Sequence, residues 1–254
     1  VHWHNVGKIA ASWVLSPTIA GIVAYLLFNT IRRSIFDTSS PSRCARRFTP
    51  IYLFLVGVVL GDMTVLKGLA HFHLVPSFYA AVLITILTAF AVVVMGYTIM
   101  KKIPNADNVK RYLQYEYVEK LFAVLMIFTA CAMVFAHGSN DVAIAMGPIA
   151  AIISIVENHG QISNTFPSWI LWFGCVGVVT GLIMYGRKVI ATVGSNITAL
   201  TPSRAFAATL ASAGTVIIST SLGIPVSATQ TLVGGVLGVG LARGLGALNI
   251  TICR

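Results

Sequence analysis

The chain has 254 residues, of which 57% are apolar and only 9% charged, with a mean hydropathy of +0.86. An ordinary soluble domain carries about 25% charged residues, so this composition excludes a soluble globular fold and implies lipid as the solvent. The net charge of +10 does not point to nucleic acid, because the basic residues cluster between apolar runs, as in cytoplasmic loops facing anionic lipid.

A membrane-spanning helix needs about 20 predominantly apolar residues. In chain order, Ile9–Ile31 qualifies, with Ser16-Pro17 as an interruption. Pro50–Leu66 follows and is short, with Asp62 near its end, where an interfacial position close to Lys67 is expected. Ser77–Met100 is uninterrupted. Val118–Val156 is too long for one span and is expected to break at His137-Gly138-Ser139-Asn140-Asp141. Trp169–Gly186 is a further span. Ala205–Ala242 is again too long, and Gly223-Ile224-Pro225 is expected to break it. The fold expected is all-α: a polytopic transmembrane helix bundle, residues 1–254, with two broken or re-entrant segments.

Lys and Arg set the orientation. Arg32, Arg33, Arg43, Arg46 and Arg47 follow the first span, and Lys101, Lys102, Lys110 and Arg111 follow the third. Both stretches are expected to be cytoplasmic, the second as a loop over 101–117. Glu157–Ser168 has no Lys or Arg and suits the outside, and Arg187-Lys188 returns to the cytoplasm. For Ala205–Ala242 the charges leave open whether the net crossing is one or none. The Tyr112–Tyr117 run is expected at the interface. Cys44, Cys131, Cys175 and Cys253 show no C-x-x-C spacing, hence no zinc or redox motif. The start has no signal-peptide pattern, and both ends are expected to be cut ends of a longer chain.

The chemistry is expected at the two breaks. Irregular backbone at membrane depth is tolerated only where protein or a water-filled cavity satisfies it. A half-helix beginning just after a polar cluster presents free N–H groups and partial positive charge, an anion site. Two interrupted apolar segments are a pointer to a transporter binding site. Ser227, Thr229, Ser139 and Gln230 are the candidate anion ligands. Asp141, Asn140 and unwound carbonyls are the candidate ligands of a coupling cation, which also offsets repulsion between Asp141 and the anion. An acid at membrane depth is functional by default; His137 is equally suited to packing or to a polar role. A lone Ser or Thr in a span more often bonds its own helix, and Gly234, Gly235, Gly238 and Gly240 serve close helix packing. No Walker-type loop, nucleophile–base pair or metal cluster is visible, so an enzyme is not expected.

At these two motifs the chain resembles the inorganic phosphate transporter (PiT) family. FAHGSNDVAIAMGP at 135–148 is similar to that family's Gly-x-Asn-Asp-Val-Ala-Asn signature. GIPVSATQTLVGGVLGVGLARG at 223–244 is similar to its Pro-Val-Ser-Thr-Thr-His signature. Leu200-Thr201-Pro202-Ser203 and Ser12-Trp13 are also family-like. The resemblance implies inorganic phosphate as substrate, free or as a metal complex, with Na⁺ or H⁺ as coupling ion and no other cofactor. It implies a multi-pass protein of the bacterial inner membrane. It also implies two inverted repeats, each with both signatures. This chain has one copy of each, so residues 1–100 resemble the end of the first repeat and the central region. Residues 118–254 resemble most of the second repeat, without the final Ser-Trp helix expected after Asn249. A partner chain could supply the first repeat. Four positions depart from the pattern: Ile144 for Asn, Ala228 for Thr, Gln230 for His and Thr209 for Glu. Those departures keep two alternatives in view: a non-transporting remnant or partner subunit, and a sulfate-type permease. One set of signatures is expected to be insufficient for uptake by this chain alone.

Overall fold

The computed structural model describes residues 3–69, 76–104, 106–107, 109–157, 168–191, 200–224 and 226–244. Those residues form helices α1 (Trp3–Ile31), α2 (Pro41–Met63), α3 (Phe78–Met100), α4 (Arg111–Glu157), α5 (Ser168–Ala191), α6 (Pro202–Ser221) and α7 (Ala228–Arg243). Short π-helical turns, Arg32–Phe36 and Thr64–Leu69, extend α1 and α2. No strand occurs among the described residues. Helix is the form in which an isolated segment satisfies all its own backbone polar groups in lipid. Five of the helices are long and apolar enough to cross a membrane.

Small residues set the pairings. Gly57 and Gly61 of α2 lie against the backbones of Ala89 and Thr85 of α3, and Gly96 of α3 lies against Leu53. The two helices therefore run antiparallel. Gly234 and Gly238 of α7 abut the backbones of Pro17 and Gly21 of α1. The rising register makes α1 and α7 parallel, at a distance that leaves no room for a Cβ. Gly235 faces the other way, against Ala208 and Ser212 of α6. Close backbone approach of this kind replaces the hydrophobic drive that lipid removes.

Helices α4 and α6 are also parallel. Glu119 bonds Ser203, Phe122 stacks edge-on against Phe206 at 5.5 Å, and Met126 meets Thr209. Tyr52 of α2 completes an aromatic cluster, 6.1 Å from Phe122 and 5.8 Å from Phe206. Each such pair contributes about 0.5–1.5 kcal/mol beyond burial. Helix α6 is the buried axis of the bundle. Its hydroxyls at Thr209, Ser212 and Thr215 return to their own helix carbonyls, the local satisfaction that buried hydroxyls adopt.

The segment 205–242 is a helical hairpin. Ser212 Oγ donates to Thr231 O across it, at 3.1 Å, and Arg204 and Arg243 line one cavity at its open end. Both ends lie on the same side, so the net crossing is none. With 16 residues, α7 is about 24 Å long, short of the roughly 30 Å hydrocarbon layer. The described tip residues, 222–224 and 226–227, therefore fall short of the far side of a layer entered at the open end.

The basic runs gather at that open end. Arg32 Nη1 donates to Ala242 O at 3.1 Å, Arg46 pairs with Asp107, Ser42 Oγ bonds Asp107 Oδ1 at 2.9 Å, and Tyr115 reaches Phe36 O. The Arg32–Arg47 and Lys101–Arg111 stretches thus share one side, joined by Arg204 and Arg243.

Three expectations need correction. Pro17 does not interrupt α1, which runs through it. Residues 111–117 are the first two turns of α4 and not part of the 101–117 loop, because Arg111–Tyr117 has no Gly or Pro and its polar residues pair along the helix, Arg111 Nε with Tyr115 at 2.9 Å and Glu116 with Lys120 at 2.8 Å. The expected break at His137–Asp141 does not form: α4 is helical from Arg111 to Glu157. Gly138 alone costs a helix only about 1 kcal/mol. The polar groups are satisfied along the helix, Ser139 Oγ donating to Ala136 O at 3.1 Å and His137 pairing with Asp141. The second break does form. Gly223 adopts a positive φ of 68°, which an L side chain resists, and α6 ends there. Pro225, most of the expected external loop (158–167) and the chain beyond 244, including Cys253, lie outside the described residues.

Candidate functional site

The hairpin tip and the middle of α4 meet. Val226 and Ala228 from the tip pack in one buried cluster with Met133 and Ala136 of α4 and with Ala213, Val216 and Ile217 of α6. That contact sets α7's first turn beside the polar run of α4, one residue past Ala136.

Ser227 is the N-cap of α7. Its Oγ accepts from Gln230 N–H at 3.4 Å, and its carbonyl accepts from Thr231 N–H and Thr231 Oγ1. The cap satisfies one of the free N–H groups of the first turn, and the remainder carry the partial positive charge of the helix end. Thr229, exposed on that turn, places Oγ1 3.4 Å from His137 Nε2. The same nitrogen lies 2.9 Å from Asp141 Oδ2. A carboxylate only accepts, so the nitrogen contacting Asp141 carries the proton, and Thr229 Oγ1 meets the same N–H as a second, longer acceptor. His137 thereby links the hydroxyl of α7 to the acid of α4.

Asp141 retains its second oxygen, and its side chain is 45% exposed. Asn140 is buried beside it in sequence, on the adjoining face. Ser139 bonds its own helix, and Gln230 enters through its backbone N–H. Of the expected residues, Thr229 and Asp141 are brought together through His137, and Ser227 shapes the turn that presents Thr229. Because α4 is unbroken, no half-helix N-terminus follows Asp141 and no unwound carbonyls flank it. An anion here would meet a helix end at α7 alone, and a cation would find only side-chain oxygens on α4.

His137 is the residue whose role sequence spacing underdetermined. Its i,i+4 placement relative to Asp141 is legible in the sequence, but the partner from α7, 92 positions away, is not. Among the departing positions, Ile144 is 67% exposed, so it adds nothing to the polar cluster. Ala228 is buried in the packing cluster, where a hydroxyl would need a partner. Thr209 lies with its hydroxyl bonded to Ala205 O at 2.7 Å.

Comparison with known proteins agrees with these motifs. The profile of the "Phosphate transporter family" matches residues 1–254. A putative phosphate permease of Haemophilus influenzae is 44% identical over 257 residues, which cover 100% of this chain and 61% of that protein. The chloroplastic inorganic phosphate transporter 2-1 of Arabidopsis thaliana is 36% identical, with 100% of this chain and 46% of that protein covered. A solved structure titled "The sodium-dependent phosphate transporter" superposes with a TM-score of 0.81 at 32% identity, covering 100% of this chain and 61% of its own. The chain thus spans about three-fifths of the length of the first of these relatives.

Proposed function

The chain belongs to the phosphate transporter family, a family of transporters and not of enzymes, and from that membership we propose that it supplies the phosphate and cation site of a Na⁺-coupled phosphate symporter. The observation that carries the proposal is the meeting of Thr229 and Asp141 on one imidazole nitrogen, which joins the two signatures. In this reading the first turn of α7, with Thr229, Ser227 and Gln230, receives the phosphate. Hydroxyl donors and free N–H groups suit a multivalent oxyanion. Ser139 adds a hydroxyl on the α4 side. Asp141 and the Asn140 amide oxygen hold Na⁺, a hard cation that takes oxygen ligands.

The electrostatics explain why the two ions would travel together. A bare carboxylate beside a phosphate repels it, and a cation between them reverses the sign. Binding of either ion then favours the other, which is reciprocal coupling. The neighbour's sodium dependence supports Na⁺ over H⁺ as the coupling ion. The transport-competent unit contains a second, inverted set of signatures, since transporters of this type work by moving one repeat against the other. The basic end faces the cytoplasm of a cell, the orientation that Lys and Arg impose.

The test is uptake of labelled phosphate by the transport-competent unit in proteoliposomes under an inward Na⁺ gradient. The proposal expects uptake to vanish in Asp141→Asn. Uptake that persists unchanged in that variant would overturn it.

A further inference from the structure

A second cluster lies at the opposite end of the hairpin. Three arginines from three helix ends line one cavity of ≈ 320 Å³ with Glu119, Phe28 and Phe36. Arg32 closes α1, Arg204 opens α6, and Arg243 closes α7. Two acids accompany the three guanidinium groups, so the cluster keeps a net positive charge. Both carboxylate oxygens of Glu119 are engaged by Ser203, one by its N–H at 2.9 Å and one by its Oγ at 2.8 Å. Asp37 lies 3.7 Å from Arg32 Nε, but its side chain is 59% exposed, where solvent screens the pair.

Arg32 is held in place. Its Nη atoms donate to Ala242 O and to Asn29 Oδ1. Its Nε is buried and makes no hydrogen bond among the described residues. A buried donor without an acceptor is unfavourable, and an oxyanion in the cavity would supply the acceptor. Guanidinium groups match phosphoryl oxygens in geometry as well as charge. The cavity sits where α1, α6 and α7 end, the level at which headgroups lie against the bundle. Basic pockets between transmembrane helices on this side suit anionic headgroups, and Phe28 and Phe36 give the cavity an apolar wall.

We infer that the Arg32–Arg204–Arg243 cavity binds a phosphoryl group, carried either by an anionic phospholipid headgroup or by free inorganic phosphate. It is separate from the hairpin-tip site by the length of α7, and it does not depend on the transport proposal. A bound phosphoryl group ties together the ends of α1, α6 and α7, and so holds the open end of the hairpin on the α1–α4 frame.

The experiment uses the purified chain in nanodiscs with two probes. One arm adds inorganic phosphate to discs of phosphatidylcholine alone. The other compares discs of phosphatidylcholine with discs that also contain phosphatidylglycerol, with no free phosphate, and counts retained lipid by native mass spectrometry. The phosphate arm is run without Na⁺ and on a Thr229→Val background, which weakens the proposed tip site, and the cavity contribution is read as the difference between each variant and that background. Arg204→Gln and Arg243→Gln are each compared with Arg33→Gln, a basic residue of the same end outside the cavity. Circular dichroism confirms folding, and Arg243→Lys keeps the charge while removing the fork, should a Gln variant fail to fold. The expected result is that one probe loses affinity by about tenfold in the cavity variants, the effect of one charge-assisted hydrogen bond, and is unchanged in Arg33→Gln. Loss in the lipid arm identifies a headgroup, and loss in the phosphate arm identifies free phosphate. No change with either probe, or an equal loss in Arg33→Gln, would overturn the inference.

Discussion

His137 of α4 and Thr229 of α7 meet at 3.4 Å, and the imidazole nitrogen between them also contacts Asp141 at 2.9 Å. The contact joins the two polar motifs of the chain, and it makes His137 a hinge point for both. His137→Ala should therefore weaken phosphate binding by about tenfold, the loss of one hydrogen bond to a charged group. His137→Gln, which can donate to Asp141 through its amide, should retain part of the affinity. Equilibrium binding of labelled phosphate to the two variants checks this. Equal, small effects would place His137 in packing alone.

The Glu119–Ser203 contact caps α6 from α4. It gives the N-terminus of a buried helix a carboxylate, the favoured charge there, and two hydrogen bonds. Glu119→Ala should lower stability by about 1.5–3 kcal/mol. Ser203→Ala should cost less, because the backbone N–H bond survives. Thermal unfolding in detergent gives the order of the two variants, and the reverse order would contradict the assignment.

Asp107, in the loop between α3 and α4, is held below the ordinary carboxylate value by its hydrogen bond from Arg46, with Ser42 and the charges of Arg46 and Arg43 adding to the effect. A carboxyl whose folded pKa is depressed stabilises the fold above its unfolded pKa and loses that contribution as pH falls through the folded value. The tie between α2 and this loop should therefore hold at neutral pH and release only below about pH 4. Hydrogen exchange of the 101–110 backbone across that range reads the release. Asp107→Asn should exchange at every pH as the wild type does at the acidic end.

A straight α4 would conflict with a flat bilayer. Its 47 residues extend about 70 Å, more than twice the roughly 30 Å hydrocarbon layer. Standing upright, it would push the apolar 142–156 stretch into water. A bend is therefore expected in lipid, between Gly138 and Pro148, where Gly138 and Gly147 have open space beside them. Spin labels at Val124 and Ile155 would lie about 46 Å apart along a straight helix. A markedly shorter distance in nanodiscs is the expected outcome, and the full straight distance would contradict it.

Much of the bundle was legible because lipid imposes length. The apolar runs mapped onto α1, α2, α3 and α5, and Gly223 marked the tip of the hairpin. The polar run 137–141 misled on backbone: the residues that suggest a break also pair along a helix, His137 with Asp141 and Ser139 with Ala136 O. Whether α6–α7 crosses was not legible from charge. It follows from contacts such as Ser212 with Thr231 that no local pattern encodes. The arginine cavity was hidden for the same reason, since Arg32, Arg204 and Arg243 are far apart in sequence and meet only because α1 and α7 run parallel.

The central claim is that Asp141 and the first turn of α7 form one coupled site. The direct measurement is the affinity of the purified chain for labelled phosphate with Na⁺ present and with Na⁺ replaced by choline, in wild type and Asp141→Asn. The coupling account predicts that Na⁺ raises the affinity of the wild type by about 5- to 150-fold, the usual range of a coupling between sites, and that Asp141→Asn binds phosphate with no dependence on Na⁺. Phosphate binding that ignores Na⁺ in the wild type, or a Na⁺ effect that survives in Asp141→Asn, would contradict it.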